Sequence, residues 1–236
     1  MATTTPDASL KTREEVLDSV VSLARLFSTT VEAFGKIHPR ELNHNQQIAL
    51  TCLGIEQGRL LIWGNAVGIS SPPATIAKHM IPSRPGDFNP DPTAPVNFIP
   101  RDPRLDDPDV RTTVETCLRD LVDRPAHLPR VEMMRAFGLK QPRPNSQTAA
   151  PKTLDHNRLE GFREQFSILC DLVDEPASER RRMSIIMDDW IIHNAQQFST
   201  FVQFAREHVD TLIALMDVQA QVDKVRSSDA TRRSST

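Results

Sequence analysis

Histidine, cysteine and carboxylate side chains carry most enzyme and metal chemistry, and in this chain none of them falls into a spacing that lets them act together. The seven histidines are scattered, with no His-x-x-x-His or Cys-x-x-Cys pair to place two metal ligands on one helix face. Cys52, Cys117 and Cys170 are odd in number and far apart, and each lies in an apolar helical pattern. That reads as buried thiols in a reducing compartment. Asp188 and Asp189 are adjacent, and neighbouring helix positions diverge by about 100°, so they make a poor acid/base pair and read as a solvated patch beside "RRR". Gly64 and Gly68 fall within and at the end of a helical pattern rather than between a strand and a helix, which excludes a phosphate loop or a nucleophile elbow there. The expectation is a non-enzymatic protein with no catalytic, cofactor-binding or metal site.

The residues that do stand out sit in "GRLLIWGNAVGI", residues 58–69. Glycine in a helix interior costs about 1 kcal/mol relative to alanine, so Gly64, next to Trp63, predicts a place where another helix or a large ring approaches closely. Gly68, four residues on, predicts a left-handed C-cap with Ile69 packing back on the last turn. Arg59 lies in line with the apolar residues Ile55 and Ile62. Either its stem is buried with the guanidinium at the edge, or it forms a partly buried ion pair with an acid of another helix, Asp210 being one candidate.

These positions need helices to hold them. Thr12 and Glu15 fit a capping box, and Val16, Val20, Leu23, Phe27, Thr30 and Phe34 then follow at steps of three and four, with Pro39 as the stop. A second helix is predicted from about Glu41 to Val67, with one stripe through Ile48, Cys52, Ile55 and Ile62 and another through Leu53, Leu60, Trp63 and Val67. Two stripes imply a central helix buried around much of its circumference. Prolines recur from Ser70 to Asp109, predicting a long loop rather than helix or central strand, and their irregular spacing does not favour a polyproline ligand. Helix resumes through Val110, Val114, Cys117 and Leu121, residues 140–153 read as a flexible connection, and the rest is read as nearly all helix. That last part runs through "ERRRMSIIMDDWII" into a stripe of Phe198, Val202, Ala205, Val209, Leu212 and Met216. Residues 1–12 are expected to be a disordered leader and 226–236 a disordered polar tail. No alternating strand pattern is evident, so the fold class is all-α: one helical bundle over 13–225 with a long proline-rich insertion at 70–109.

Bulk composition narrows the partners. The 236 residues are 39% apolar, enough for one modest core, and a net charge of −3 offers no basic footprint for nucleic acid. The start, "MATTTPDASLKTREEV", has neither a basic region nor an apolar core, so no secretory signal is expected and the expected compartment is the cytoplasm. No run of about 18 apolar residues occurs. The nearest, residues 19–34, is interrupted by Arg25 and Glu32.

Leu53, Ile55, Arg59, Leu60, Trp63, Gly64, Ala66, Val67 and Ile69 together resemble the "LxIxxxRLxxWGxAVxI" signature of fungal HeLo domains, the N-terminal helical domains of HET-s-like prion-inhibition and propagation, or heterokaryon-incompatibility, proteins. "SLARLFSTTVEAF" is similar to the family's first helix. "WIIHNAQQFSTFVQFAREHVDTLIALM" is similar to a later family helix, matching at Trp190, Val202, Val209, Asp210 and Leu212. The three segments occur in family order. The resemblance implies a helical bundle that acts as an effector or regulator of fungal incompatibility and programmed cell death. It would act through a protein partner, itself or another HeLo-domain protein, and through the membrane when the first helix is released, which would make it peripheral there on activation. Val20, Leu23, Leu26, Phe27, Val31 and Phe34 would then face the membrane or partner. The alternative is a cytoplasmic interaction module that binds other HeLo proteins without touching membranes.

Overall fold

In the computed structural model the structure describes residues 13–40, 44–73, 96–98, 100–122, 130–142, 155–173 and 189–234. Their architecture is a helical bundle closed at one end by a three-stranded sheet. In chain order these are α1 (Arg13–Phe34), β1 (Ile37–Pro39), α2 (His44–Val67), α3 (Pro108–Val122), α4 (Arg130–Ala136), β2 (Leu139–Lys140), α5 (His156–Asp171), β3 (Trp190–Ile192), α6 (Ala195–Leu215) and α7 (Gln219–Ser234).

Helix α1 buries Val20, Leu23, Phe27, Val31 and Phe34, with Val16 and Leu26 half-buried. It lies against α2, α3 and α5. Polar side chains of neighbouring helices fasten it: Gln57 Nε2 donates to Val31 O at 2.8 Å, Arg111 Nη2 donates to Ser19 O at 2.9 Å, and Arg163 Nε donates to Glu32 Oε1 at 2.9 Å. Thr30, wholly buried in the apolar stripe, turns its hydroxyl onto Leu26 O at 2.9 Å. A buried hydroxyl left unpaired would cost more than the bond contributes.

The helical bundle is the fold class the sequence predicts, and the strands add a small sheet to it. α1 stops at Phe34, before Gly35 and Lys36, and Pro39 ends a strand rather than the helix. Trp190–Ile192, read from sequence as helix, forms the central strand. It pairs parallel to β1 through Ile37 with Trp190, and antiparallel to β2 through Leu139 with Ile192. Runs of three residues carry too little alternation to announce themselves, and β-branched residues between two helical patterns read equally as helix. The sheet sets the start of α6: Asn194, next but one after β3, caps it by accepting from Gln196 N and Gln197 N.

Three further readings change. The segment from residue 226, expected to be a disordered tail, continues as helix α7 to Ser234. Val222 of α7 is fully buried, and its Asp229 accepts from Arg158 Nη2 of α5 at 2.7 Å. A polar sequence of this kind is held by tertiary anchors rather than by propensity. The end of the proline-rich stretch is also built in: Pro103–Asp106 form a 3-10 turn capped by Asp102, Leu105 is fully buried, and Pro108 opens α3. Finally, Ile48 and Ile55 are 49% and 42% exposed and Cys52 is half-buried, so the first of the two predicted α2 stripes faces outward except at Ile62. Residues 1–12, with the capping Thr12, most of the proline-rich segment, 143–154 and Asp188 lie outside the described residues.

Candidate functional site

The family-like residues of α2 converge on its seam with α6. The second stripe, Leu53, Leu60, Trp63 and Val67, is 2% exposed or less. It meets the α6 stripe Phe198, Val202, Ala205, Val209 and Leu212, all buried. The two helices run in the same direction, because Glu56, Arg59 and Trp63 meet Arg206, Asp210 and Leu212 in that order. The ring of Trp63 is fully buried, and its Nε1–H donates to Leu212 O at 3.0 Å, a carbonyl near the end of α6 that also accepts from Met216 N–H at 3.3 Å.

Gly64 is explained by Phe27 of α1. A Cβ built on Gly64 would lie 2.9 Å from Phe27 Cε1 and closer still to Cζ, so only glycine admits the ring. Phe27 in turn contacts Trp63 and Phe162, with centroid separations of 5.7 and 5.1 Å. Gly68 takes φ +65° and closes α2 as a Schellman motif, with Ile69 N–H bonding Gly64 O at 3.0 Å and Gly68 N–H bonding Asn65 O at 3.2 Å. Ile69 is fully buried and Ala66 is half-buried.

Of the two readings of Arg59, the structure has the ion pair. Its side chain is 11% exposed; Nη2 binds Asp210 Oδ1, and Nη1 donates to Glu56 Oε2 at 2.7 Å. Glu56 Oε1 accepts from Arg206 Nε at 3.0 Å. A chain of alternating charge, Asp210–Arg59–Glu56–Arg206, thus clasps α2 to α6. Burial pulls the Arg59 guanidinium down, but the hydrogen bonds it donates to Asp210 and Glu56, with their charge, outweigh it and hold the group above its ordinary value. Arg59 Nε is buried without a partner among the described residues. Glu56 and Arg206 are absent from the motif residues singled out above. The sequence signal for Glu56 was available: it sits at i+3 from Leu53 and i−4 from Leu60, a carboxylate inside the apolar stripe itself.

The remaining predicted residues scatter. Trp190 is buried in β3, its Nε1 without a hydrogen-bond partner among the described residues, and belongs to the sheet end rather than to the α2–α6 seam. Asp189 accepts from His38 Nε2 at 3.2 Å and lies 3.6 Å from Lys36. Cys117 and Cys170 are buried, and burial, reinforced by Asp120, pushes the Cys117 thiol up. Among the described residues no group of three or more His, Cys, Asp or Glu side chains is placed to hold a metal ion.

Where the seam opens, the described surface changes character. Beside the clasp lies an open groove of about 470 Å³ between the first halves of α2 and α6, floored by Ala49, Cys52 and Val202. Ile48 forms its lip. Ile48 and Ile55, seven residues apart on one face of α2, are the large hydrophobic side chains left exposed among the described residues. No helix among them is long and apolar enough to cross a membrane.

Residues 17–233 match the family model HeLo, described as prion-inhibition and propagation. No curated protein and no solved structure gives a significant match.

Proposed function

Because this chain belongs to the HeLo, prion-inhibition and propagation, family, we propose that it is a non-enzymatic effector or regulator of fungal incompatibility and regulated cell death that works by binding another protein. The observation that carries the reading is the exposed pair Ile48 and Ile55 beside an open groove. Apolar side chains exposed together next to a concave, small-residue floor are a feature of protein interfaces. The partner is a second HeLo-domain chain, of the same or a different sequence.

Action through a membrane is the competing reading, and α1 is the element that would insert. Its apolar face is already committed to the core, with Phe27 seated on Gly64. Release would break that seat, the Gln57 bond and the Arg163–Glu32 pair, and would carry Arg25 and Glu32 into lipid at a cost on the order of 3 kcal/mol per central charge.

Light scattering on the intact chain, alone and mixed with another HeLo-domain protein, together with dye release from anionic liposomes, separates the two. Association without release is the expected result. Release by the folded chain, with no association in solution, would overturn the reading. Deleting residues 1–34 is a poor control, because α1 contributes to the core.

A further inference from the structure

Gly161, in the interior of α5, has no reason within the fold to be glycine. Gly64 admits the Phe27 ring, and Gly68 and Gly138 take positive φ. At Gly161 the backbone is ordinary helix, and a Cβ built there would meet nothing within 4 Å. Glycine is disfavoured against alanine at such a position, and what it leaves here is room. That room is part of a cavity of about 170 Å³ between α2 and α5, floored by the buried Leu61 and Phe162. Ser70, also buried, donates its hydroxyl to Gln165 Oε1 at 3.2 Å, which fixes the Gln165 amide and leaves Nε2 without a partner among the described residues. The Asn65 amide stands at the exposed rim, its donor and acceptor both unbonded among the described residues. Arg158 is the one charged residue of the lining, with Nη1 on Asp155 and Nη2 donating to Asp229 at 2.7 Å.

We infer that this cavity binds a neutral carboxamide on a short aliphatic stem, as a glutamine-like ligand presents it. A carboxamide donates and accepts on adjacent atoms, and Asn65 and Gln165 offer the matching pair of functions. The stem covers Leu61 and Phe162, where a polyol would set hydroxyls against apolar carbon. Size agrees, since a cavity of about 150 Å³ takes one benzene ring. Charge selects a neutral occupant. Asp155, Asp229 and the exposed Glu164 stand against an anion, and the Arg158 guanidinium stands against a cation. The inference is independent of the protein-association reading, because the cavity lies on α5 and the second half of α2, away from Ile48 and Ile55.

The test titrates the full chain with propionamide, with propionate and propylammonium as charged probes of the same shape, and with glycerol. Nitrogen-15 NMR follows the side-chain NH2 groups of Asn65 and Gln165. Propionamide is expected to shift both saturably with Kd on the order of 10 mM, as suits so small a ligand, and the three other probes to bind about tenfold or more weakly. Gly161→Ala separates binding from folding. The added methyl has open space and a better helix former, so Tm is expected to rise by about 2–4 °C while binding is lost. Asn65→Ala, at the exposed rim, is expected to weaken binding severalfold with Tm unchanged. Tighter binding of N-acetylglutamine methylamide than of propionamide would assign the carboxamide to a protein side chain, and equal or weaker binding to a free small molecule. No saturable shift up to about 100 mM, equal or better binding of propionate, propylammonium or glycerol, or binding that survives Gly161→Ala would each overturn the inference.

Discussion

The first and second halves of α2 differ in how much of their surface the rest of the bundle covers. From Leu60 to Gly64 every residue is buried, fitted to Phe27 on one side and to α6 on another. From His44 to Ile55 the outward face is uncharged and carries Ile48, Thr51 and Ile55 in solvent. The signature Arg59-x-x-x-Trp63-Gly64 therefore belongs mainly to the closed half, where it does structural work: it seats α1 and ties α2 to α6. The open half holds the exposed Ile48 and Ile55 on which the proposed association rests, and only Leu53 and Ile55 of the signature reach into it. A family motif and an exposed apolar face thus share one helix while occupying different halves of it.

Substitutions in the closed half should be the costly ones. Glu56→Ala leaves Arg59 and Arg206 without their shared carboxylate, and breaking a buried pair of this kind costs about 3–5 kcal/mol. The expected result is a large drop in the guanidinium midpoint with an unchanged slope. A loss under about 1 kcal/mol, the range of surface pairs, would erase the distinction between the halves. Gly64→Ala follows. Alanine elsewhere in a helix would gain about 1 kcal/mol over glycine, but here the new methyl meets Phe27 and the net loss is expected to be about 1–3 kcal/mol. Phe27→Leu on that background should recover part of the loss, since the two positions are in direct contact, and a double-mutant cycle measures the coupling.

A smaller effect sharpens the comparison by pH. The hydrogen bond and charge of Arg104 hold the Asp102 carboxyl below the usual carboxylate range, against burial, which pushes it up. A carboxyl with a depressed folded pKa stabilises the fold above its unfolded pKa of about 3.9, and that contribution disappears as pH falls through the folded value. Asp102→Asn keeps a good cap and removes the charge. The stability gap between the two proteins is expected to be open at pH 7 and to close progressively below about pH 4, as read from denaturation midpoints across pH. The smallest effect is expected in the open half, where Ile55→Ser should move stability by no more than about 0.5 kcal/mol. A larger loss by thermal melting would mean that this face packs against something within the chain.

Much of the closed half was legible in the sequence. Periodicity alone placed Leu53, Leu60, Trp63 and Val67 on one face of α2 and the Phe198–Met216 stripe on α6. The two glycines announced a close approach and a C-cap because glycine is disfavoured in a helix unless something requires it. The misreadings have separate causes. Ile48 and Ile55 had the same periodicity as buried residues, and hydrophobic spacing says which residues share a face, not whether another element covers that face. The sheet escaped notice because its strands are two or three residues long, and α7 because a polar segment becomes a helix only when Val222 and Asp229 find partners on the bundle.

By itself, then, the sequence determined the long helices with strong apolar periodicity, which residues share a face in each, and the family resemblance, since those depend on local spacing and on residue types in order. Tertiary structure alone decided that Phe27 is the ring against Gly64, that Glu56 and Arg206 join Arg59 and Asp210, and that one half of α2 stays open. Each depends on the direction and separation of elements up to 151 residues apart, and no local pattern encodes that geometry.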